Sequence, residues 1–173
     1  MKTLILGGVR SGKSRHAEAL ARAHEGRVEL IVTATAGDEE MAARIAAHRA
    51  RRPEHWPVHE EPIALAGVLR ERARAGTLVI IDCLTLWLTN ILMQPDPALL
   101  KRESDALLAA LGEVTGSVML VSNEVGYGIV PVNALARRFT DAAGELHQRL
   151  APVCDRVVWM VAGIALPVKE PGR

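Results

Sequence analysis

The stretch "KTLILGGVRSGKSRHAEALARAHEG" constrains the fold more than any other, because an apolar run breaks on glycines and resumes with helical periodicity. Its centre, "GGVRSGKS", comprises Gly7, Gly8, Val9, Arg10, Ser11, Gly12, Lys13 and Ser14. The pattern is glycine, four residues, glycine, lysine, serine, which is that of a phosphate-binding loop. Each residue type has a physical reason. Glycines let backbone amides turn inward around phosphate oxygens, and the helix that follows offers its positive N-terminus. Lys13 supplies a mobile cation for the distal phosphates, and Ser14 can ligate magnesium. A chain carrying this loop must place it between a first strand and a first helix. It should bind a nucleoside triphosphate with Mg2+, while the loop leaves the base open.

The rest of the chain repeats that alternation. "RVELIVTAT" predicts a second strand, and the segment from Asp38 to about Arg51 a helix with an acidic first turn and a basic last turn, which Pro53 stops. "EPIALAGVLRERARAG" predicts a helix, "TLVIIDCLT" a buried strand, and "LWLTNILM" a helix running to the loop "QPDP". Residues 98–112 are helix-periodic, "GSVMLVSNEVG" is strand then loop, "NALARRFTDAAGELHQRLAPVC" a long helix, and "DRVVWMVAGIALPVK" two strands about Ala162 and Gly163. Continuous apolar strands alternating with helices indicate an α/β three-layer fold with a largely parallel sheet. At 173 residues one domain, 1–173, is expected, and with aromatics at 3% its core should be aliphatic.

A net charge of +1 provides no broad basic field for a nucleic-acid backbone, so anions should be bound by a local site. Two cysteines, Cys83 and Cys154, without metal-type spacing fit a reducing compartment. "MKTLILGG" is too short an apolar run for a signal peptide, and no later run is long enough for a membrane span. The expectation is a soluble, cytoplasmic protein.

A phosphate loop calls for a carboxylate at the end of an apolar strand, and Asp82 in "LVIIDCLT" fits as a magnesium ligand; an acid there can also simply cap the next helix. No guanine-reading Asn-Lys-x-Asp sequence occurs. Among the histidines, His16, His24 and His147 fall at helix positions expected to be solvated or partly packed. His55 and His59 have a metal-pair spacing that Pro57 disrupts. His48 differs, since on a helix Arg44, His48 and Arg51 or Arg52 share neighbouring rows in "EEMAARIAAHRARRP". Arginines bind phosphate oxygens, and a neutral imidazole beside an α-phosphate can attack it; a solvated basic helix end is the competing reading and the one local physics favours.

Taken together, "GGVRSGKSRHAE", "GDEEMAARIAAHRARRPEHW", "EEP", "DCLTLWLTN", "SNEVGYGIVP" and "FTDAAGELHQRLA" resemble, in order and over nearly the whole chain, the bifunctional adenosylcobinamide kinase and adenosylcobinamide-phosphate guanylyltransferase family of cobalamin biosynthesis. The resemblance implies a P-loop NTPase fold with a RecA-like sheet. It implies phosphorylation of adenosylcobinamide by ATP or GTP, then transfer of GMP from GTP to adenosylcobinamide phosphate, giving adenosylcobinamide-GDP and pyrophosphate. It places a guanylylated histidine on His48, and nucleotide contacts on Gly7 to Ser14, Val32, Thr33, Ala34, Arg49, Ala50, Arg51, Arg52, Glu60 and Asp82. Val9 and Val32 stand where alanine is common in the family, and the register of "EEP" leaves Glu60 and Glu61 as alternatives. The resemblance also implies a homo-oligomer, trimers among them. For "NEVGYGIVP" a glycine-punctuated loop competes with a role near the corrinoid or at a subunit contact. No general base for the kinase step stands out in the sequence; a kinase alone, or a non-enzymatic nucleotide-binding module, remain as rivals.

Overall fold

The apolar runs pair into one seven-stranded sheet, ordered β3-β2-β4-β5-β1-β6-β7. The strands are β1 (Lys2–Gly7), β2 (Arg27–Val32), β3 (Val58–Glu60), β4 (Thr77–Asp82), β5 (Ser117–Asn123), β6 (Arg156–Val161) and β7 (Ile164–Lys169). Among the described residues, all pairings are parallel except the terminal β6–β7 hairpin. The structure is a computed structural model and describes residues 1–35, 46 and 53–172. The helix expected from Asp38 to about Arg51 lies outside the described residues. So do His48, Arg49, Ala50, Arg51 and Arg52.

The described helices are α1 (Lys13–Arg22), α2 (Leu65–Arg72), α3 (Leu84–Leu92), α4 (Leu99–Glu113) and α5 (Ala134–Val153). Side chains alternate across each strand, so adjacent residues enter different cores. Leu4, Val79, Ile81, Val118 and Leu120 pack with α2 to α5 on one face. Ile5, Leu78, Ile80, Met119 and Val121 pack on the other with Ala17 and Ala21 of α1 and with Trp56. This burial on both faces explains why the strands read as unbroken apolar runs. The three-layer α/β expectation holds.

Some local expectations shift. β2 ends at Val32, because the next residue, Thr33, is fully buried and turns its hydroxyl to the Cys83 backbone instead of extending the ladder. α2 starts at Leu65 and not at Glu61, since Glu61 accepts hydrogen bonds from the amides of Ile63 and Ala64 and holds a turn there. β3 was not expected at all; three residues are too few for a period, and only pairing with β2 makes them a strand. His147 is a correction of a different kind. Expected at a solvated or partly packed position, it is buried on α5 with Nε2 2.7 Å from the Ser122 hydroxyl.

Candidate nucleotide site

The loop after β1 is built to keep its backbone open. Gly7 has φ +153°, and a Cβ there would lie 2.5 Å from the Met160 carbonyl oxygen of β6. Arg10 and Gly12 also have positive φ, 56° and 100°. The loop closes with Ser11 donating its amide to the Gly8 carbonyl at 3.2 Å, and Gly163, in the β6–β7 turn, donates to the Ser11 carbonyl at 3.0 Å. That second bond ties the loop to the hairpin, and a Cβ on Gly12 would approach the Gly163 Cα to 3.3 Å. Gly12 is the N-cap of α1, with no side-chain cap and no acid in the first turn. The helix therefore presents uncapped amides and its dipole toward the loop, which is an anion site by construction.

Lys13 is buried and folds back so that Nζ donates to the Gly8 carbonyl at 2.6 Å. Burial lowers its pKa, while the negative charge of Asp82 opposes the shift. The electrostatic link to Asp82 brings together the two halves of the expected site. Asp82 ends β4, and the N-cap of α3 is Cys83, not Asp82; the helix-capping alternative is thus the weaker one. Cys83 is anchored twice to Thr33, its amide donating to Oγ1 at 3.1 Å and its carbonyl accepting from the same hydroxyl at 2.6 Å. Burial pushes the Cys83 thiol up and keeps it protonated.

The remaining described residues line up along the same C-terminal edge of the sheet. Val32 pairs with Asp82 on one side and with Glu60 on the other, and Asn90 of α3 donates to the Thr33 carbonyl at 2.8 Å, fixing the chain just before Ala34. Glu60 is exposed at the β3 end, and Glu61 accepts hydrogen bonds from the amides of Ile63 and Ala64. Gly7 pairs with Asn123 across β5, and the edge reads Glu60, Val32, Asp82, Asn123, Gly7 from strand to strand. Strand C-terminal ends are where parallel α/β sheets bind ligands. Ser14 and Asp82 are hard oxygen donors of the kind magnesium takes.

Two groupings at this edge carry no signal in the one-dimensional pattern. Thr85 accepts the Asn123 amide at 2.8 Å, bolting the start of α3 to the end of β5. Glu124, the next residue, donates its amide to the Gly7 carbonyl at 2.9 Å. Its carboxylate lies 3.8 Å from Nδ1 of His147. Burial holds the His147 pKa down, opposed by Glu124. Beyond Glu124, the loop exposes Tyr127, Ile129, Val130 and Val132, with Tyr127 tilted against Trp159 of β6 at 6.1 Å between ring centroids. His59 bonds Glu29 of β2 at 2.7 Å and His55 sits edge-on to Trp56, so this pair has structural partners. A cleft lined by Arg22, His24, Arg27 and Trp56 opens at the opposite, N-terminal end of β2, away from the phosphate loop.

Residues 3–168 match the CobU family, described as cobinamide kinase / cobinamide phosphate guanyltransferase. The chain is 56% identical over 99% of its length to the bifunctional adenosylcobalamin biosynthesis protein CobP of Pseudomonas aeruginosa, of which it covers 99%. It is 40% identical over 98% of its length to the bifunctional adenosylcobalamin biosynthesis protein CobU of Escherichia coli, covering 100% of that protein. Among solved structures it superposes on the RadB recombinase with a TM-score of 0.52 at 17% identity, covering 91% of this chain and 73% of that one, a likeness of fold alone. The fold is that of the RecA-like P-loop NTPases. With loop, carboxylate strand and family pattern in agreement over nearly the whole length, the chain belongs to the CobU family of cobinamide kinase / cobinamide phosphate guanyltransferases.

Proposed function

We propose that this single domain phosphorylates adenosylcobinamide with ATP or GTP and then transfers GMP from GTP to adenosylcobinamide phosphate through a guanylyl-histidine on His48, releasing pyrophosphate. Family membership supports the two activities. The observation that carries the nucleotide site is the juxtaposition, at one sheet edge, of the uncapped α1 N-terminus, buried Lys13 and Asp82.

In phosphorylation, the loop amides and Lys13 hold the triphosphate and stabilise the charge that develops on the transferring phosphoryl group. Ser14 and Asp82 would hold a magnesium ion, which would supply further charge neutralisation on the phosphate oxygens. Positioning the acceptor hydroxyl in line supplies much of the rest. In the transferase step the His48 imidazole attacks the α-phosphorus, the bond to pyrophosphate breaks, and the corrinoid phosphate then displaces histidine. Arg49, Ala50, Arg51, Arg52, Val32, Thr33, Ala34 and Glu60 complete the nucleotide contacts in this reading.

The experiment uses α-labelled GTP without corrinoid. Wild type should retain label that is acid-labile and base-stable, as a phosphoramidate is, and His48→Ala should retain none; label persisting on His48→Ala sinks the assignment. Lys13→Ala should lose phosphorylation of adenosylcobinamide, which His48→Ala should keep. A kinase without the transferase would show no label in either protein.

A homo-oligomer, a trimer for instance, acting in the cytoplasm completes the proposal. No helix among the described residues is long and apolar enough to cross a membrane. Trp159, Val161, Ile164 and Leu166 pair across β6 and β7 and leave an exposed apolar face next to Tyr127, of the kind that marks an interaction surface.

A further inference from the structure

Between the strand that carries the phosphate loop and the strand that carries Asp82 runs β5, and the residue at its exit is Glu124. Its backbone is fixed to the loop itself, through the amide that donates to the Gly7 carbonyl at 2.9 Å. Its side chain is only 20% exposed. One carboxylate oxygen accepts the Gly126 amide at 3.3 Å, and the other faces Nδ1 of His147 at 3.8 Å. That nitrogen is buried and has no hydrogen-bond partner, while the opposite ring nitrogen is fixed by Ser122 at 2.7 Å. A buried imidazole thus reaches from α5 toward the carboxylate beside the phosphate loop.

We propose that Glu124 is the base that takes the proton of the acceptor hydroxyl in the phosphorylation step, and that His147 positions its carboxylate. The proposal rests on the kinase reading above. As the acceptor oxygen forms its bond to the γ-phosphorus, the O–H proton passes to the Glu124 carboxylate. The bond from the γ-phosphorus to the β,γ-bridging oxygen breaks, and the nucleoside diphosphate leaves with that electron pair. Glu124 then releases the proton to solvent.

Position decides among the acids of this edge. Neighbouring strands lie about 4.8 Å apart, so Glu124 is about one spacing from the loop strand, Asp82 about two and Glu60 about four. Asp82 is the expected metal ligand, and Glu61 is engaged with the amides of Ile63 and Ala64. Glu124 alone of these combines adjacency to the loop with a carboxylate not given over to metal or helix start. His147 is a positioning residue: Ser122 fixes the ring from behind, so Nδ1 has one direction in which to find a partner, and Glu124 stands there.

The test compares wild type, Glu124→Gln, Glu124→Asp and His147→Gln. Two readouts are used: phosphorylation of adenosylcobinamide by ATP, and corrinoid-free labelling by α-labelled GTP. Glu124→Gln keeps an oxygen for the Gly126 amide but cannot take a proton. Its kcat for phosphorylation should fall about 100-fold or more, the usual contribution of a general base, with the KM for ATP and the GTP labelling close to wild type. Glu124→Asp should recover part of the lost kcat. His147→Gln should lower kcat by less, again without changing KM or labelling. Phosphorylation by Glu124→Gln within threefold of wild type would overturn the proposal, as would loss of ATP binding and GTP labelling in both Glu124 variants, which would make the residue structural. Absence of phosphorylation in the wild type would instead sink the kinase reading, and this role with it.

Discussion

Replacing Thr33 by valine removes one oxygen atom from a fully buried side chain and keeps its shape. That oxygen accepts from the Cys83 amide at 3.1 Å and donates to the Cys83 carbonyl at 2.6 Å. The carbonyl keeps a second partner, the Trp87 amide of α3 at 3.2 Å, but the Cys83 amide is orphaned. An unsatisfied buried donor costs about 1–3 kcal/mol and the second bond about 1 kcal/mol, so Thr33→Val should destabilise by about 2–4 kcal/mol. For a domain of this size about 2–4 °C accompanies each kcal/mol, giving a Tm lower by about 4–16 °C in reversible thermal unfolding followed by circular dichroism. Thr33→Ser, which keeps the hydroxyl and gives up a methyl group, should lose about 1 kcal/mol. Because Cys83 follows Asp82, Thr33→Val should also weaken binding of magnesium-ATP relative to Thr33→Ser. A Thr33→Val protein as stable as wild type, or one more stable than Thr33→Ser, would refute the view that this hydroxyl anchors the end of β4.

Two further outcomes are expected. Burial holds His147 below its ordinary pKa of 6.5, so the folded protein favours the neutral ring; the stability this contributes is full above about pH 6.5 and is lost as pH falls through the lower folded value. Urea unfolding at pH 7.5 and at pH 5 should show a smaller loss of stability on acidification in His147→Gln than in wild type, and equal losses would refute it. Ile164→Asp, a charge placed on the open β6–β7 face, should shift the mass measured by light scattering toward the monomer; an unchanged mass would exclude that face as the subunit contact.

The elements that announced themselves in the sequence were those whose pattern is self-contained. The strand before Gly7 and the one ending at Asp82 are buried on both faces, which spells an unbroken apolar run, and Gly7 and Gly12 are required by their positive φ angles, Gly7 also by its close approach to Met160. β3 escaped notice because three residues cannot show a period, and the shortened β2 because a threonine at a strand end looks like any other until Cys83 is brought beside it. His147 escaped for a related reason: a polar residue on an amphipathic helix is expected to be solvated, and only the exit of β5, with Ser122 and Glu124, gives it a buried place.

What the sequence determined by itself was therefore chemistry of short range: a phosphate loop between strand and helix, an aliphatic parallel sheet, an acid at a strand end, and a family pattern that singles out His48. The tertiary structure decided which distant residues share an edge. It set β5 between the loop strand and the Asp82 strand, and so put Glu124 beside the phosphate loop and His147 beside Glu124. Strand order depends on how helices cross the sheet and on which faces are buried together, and neither quantity is written in any local period.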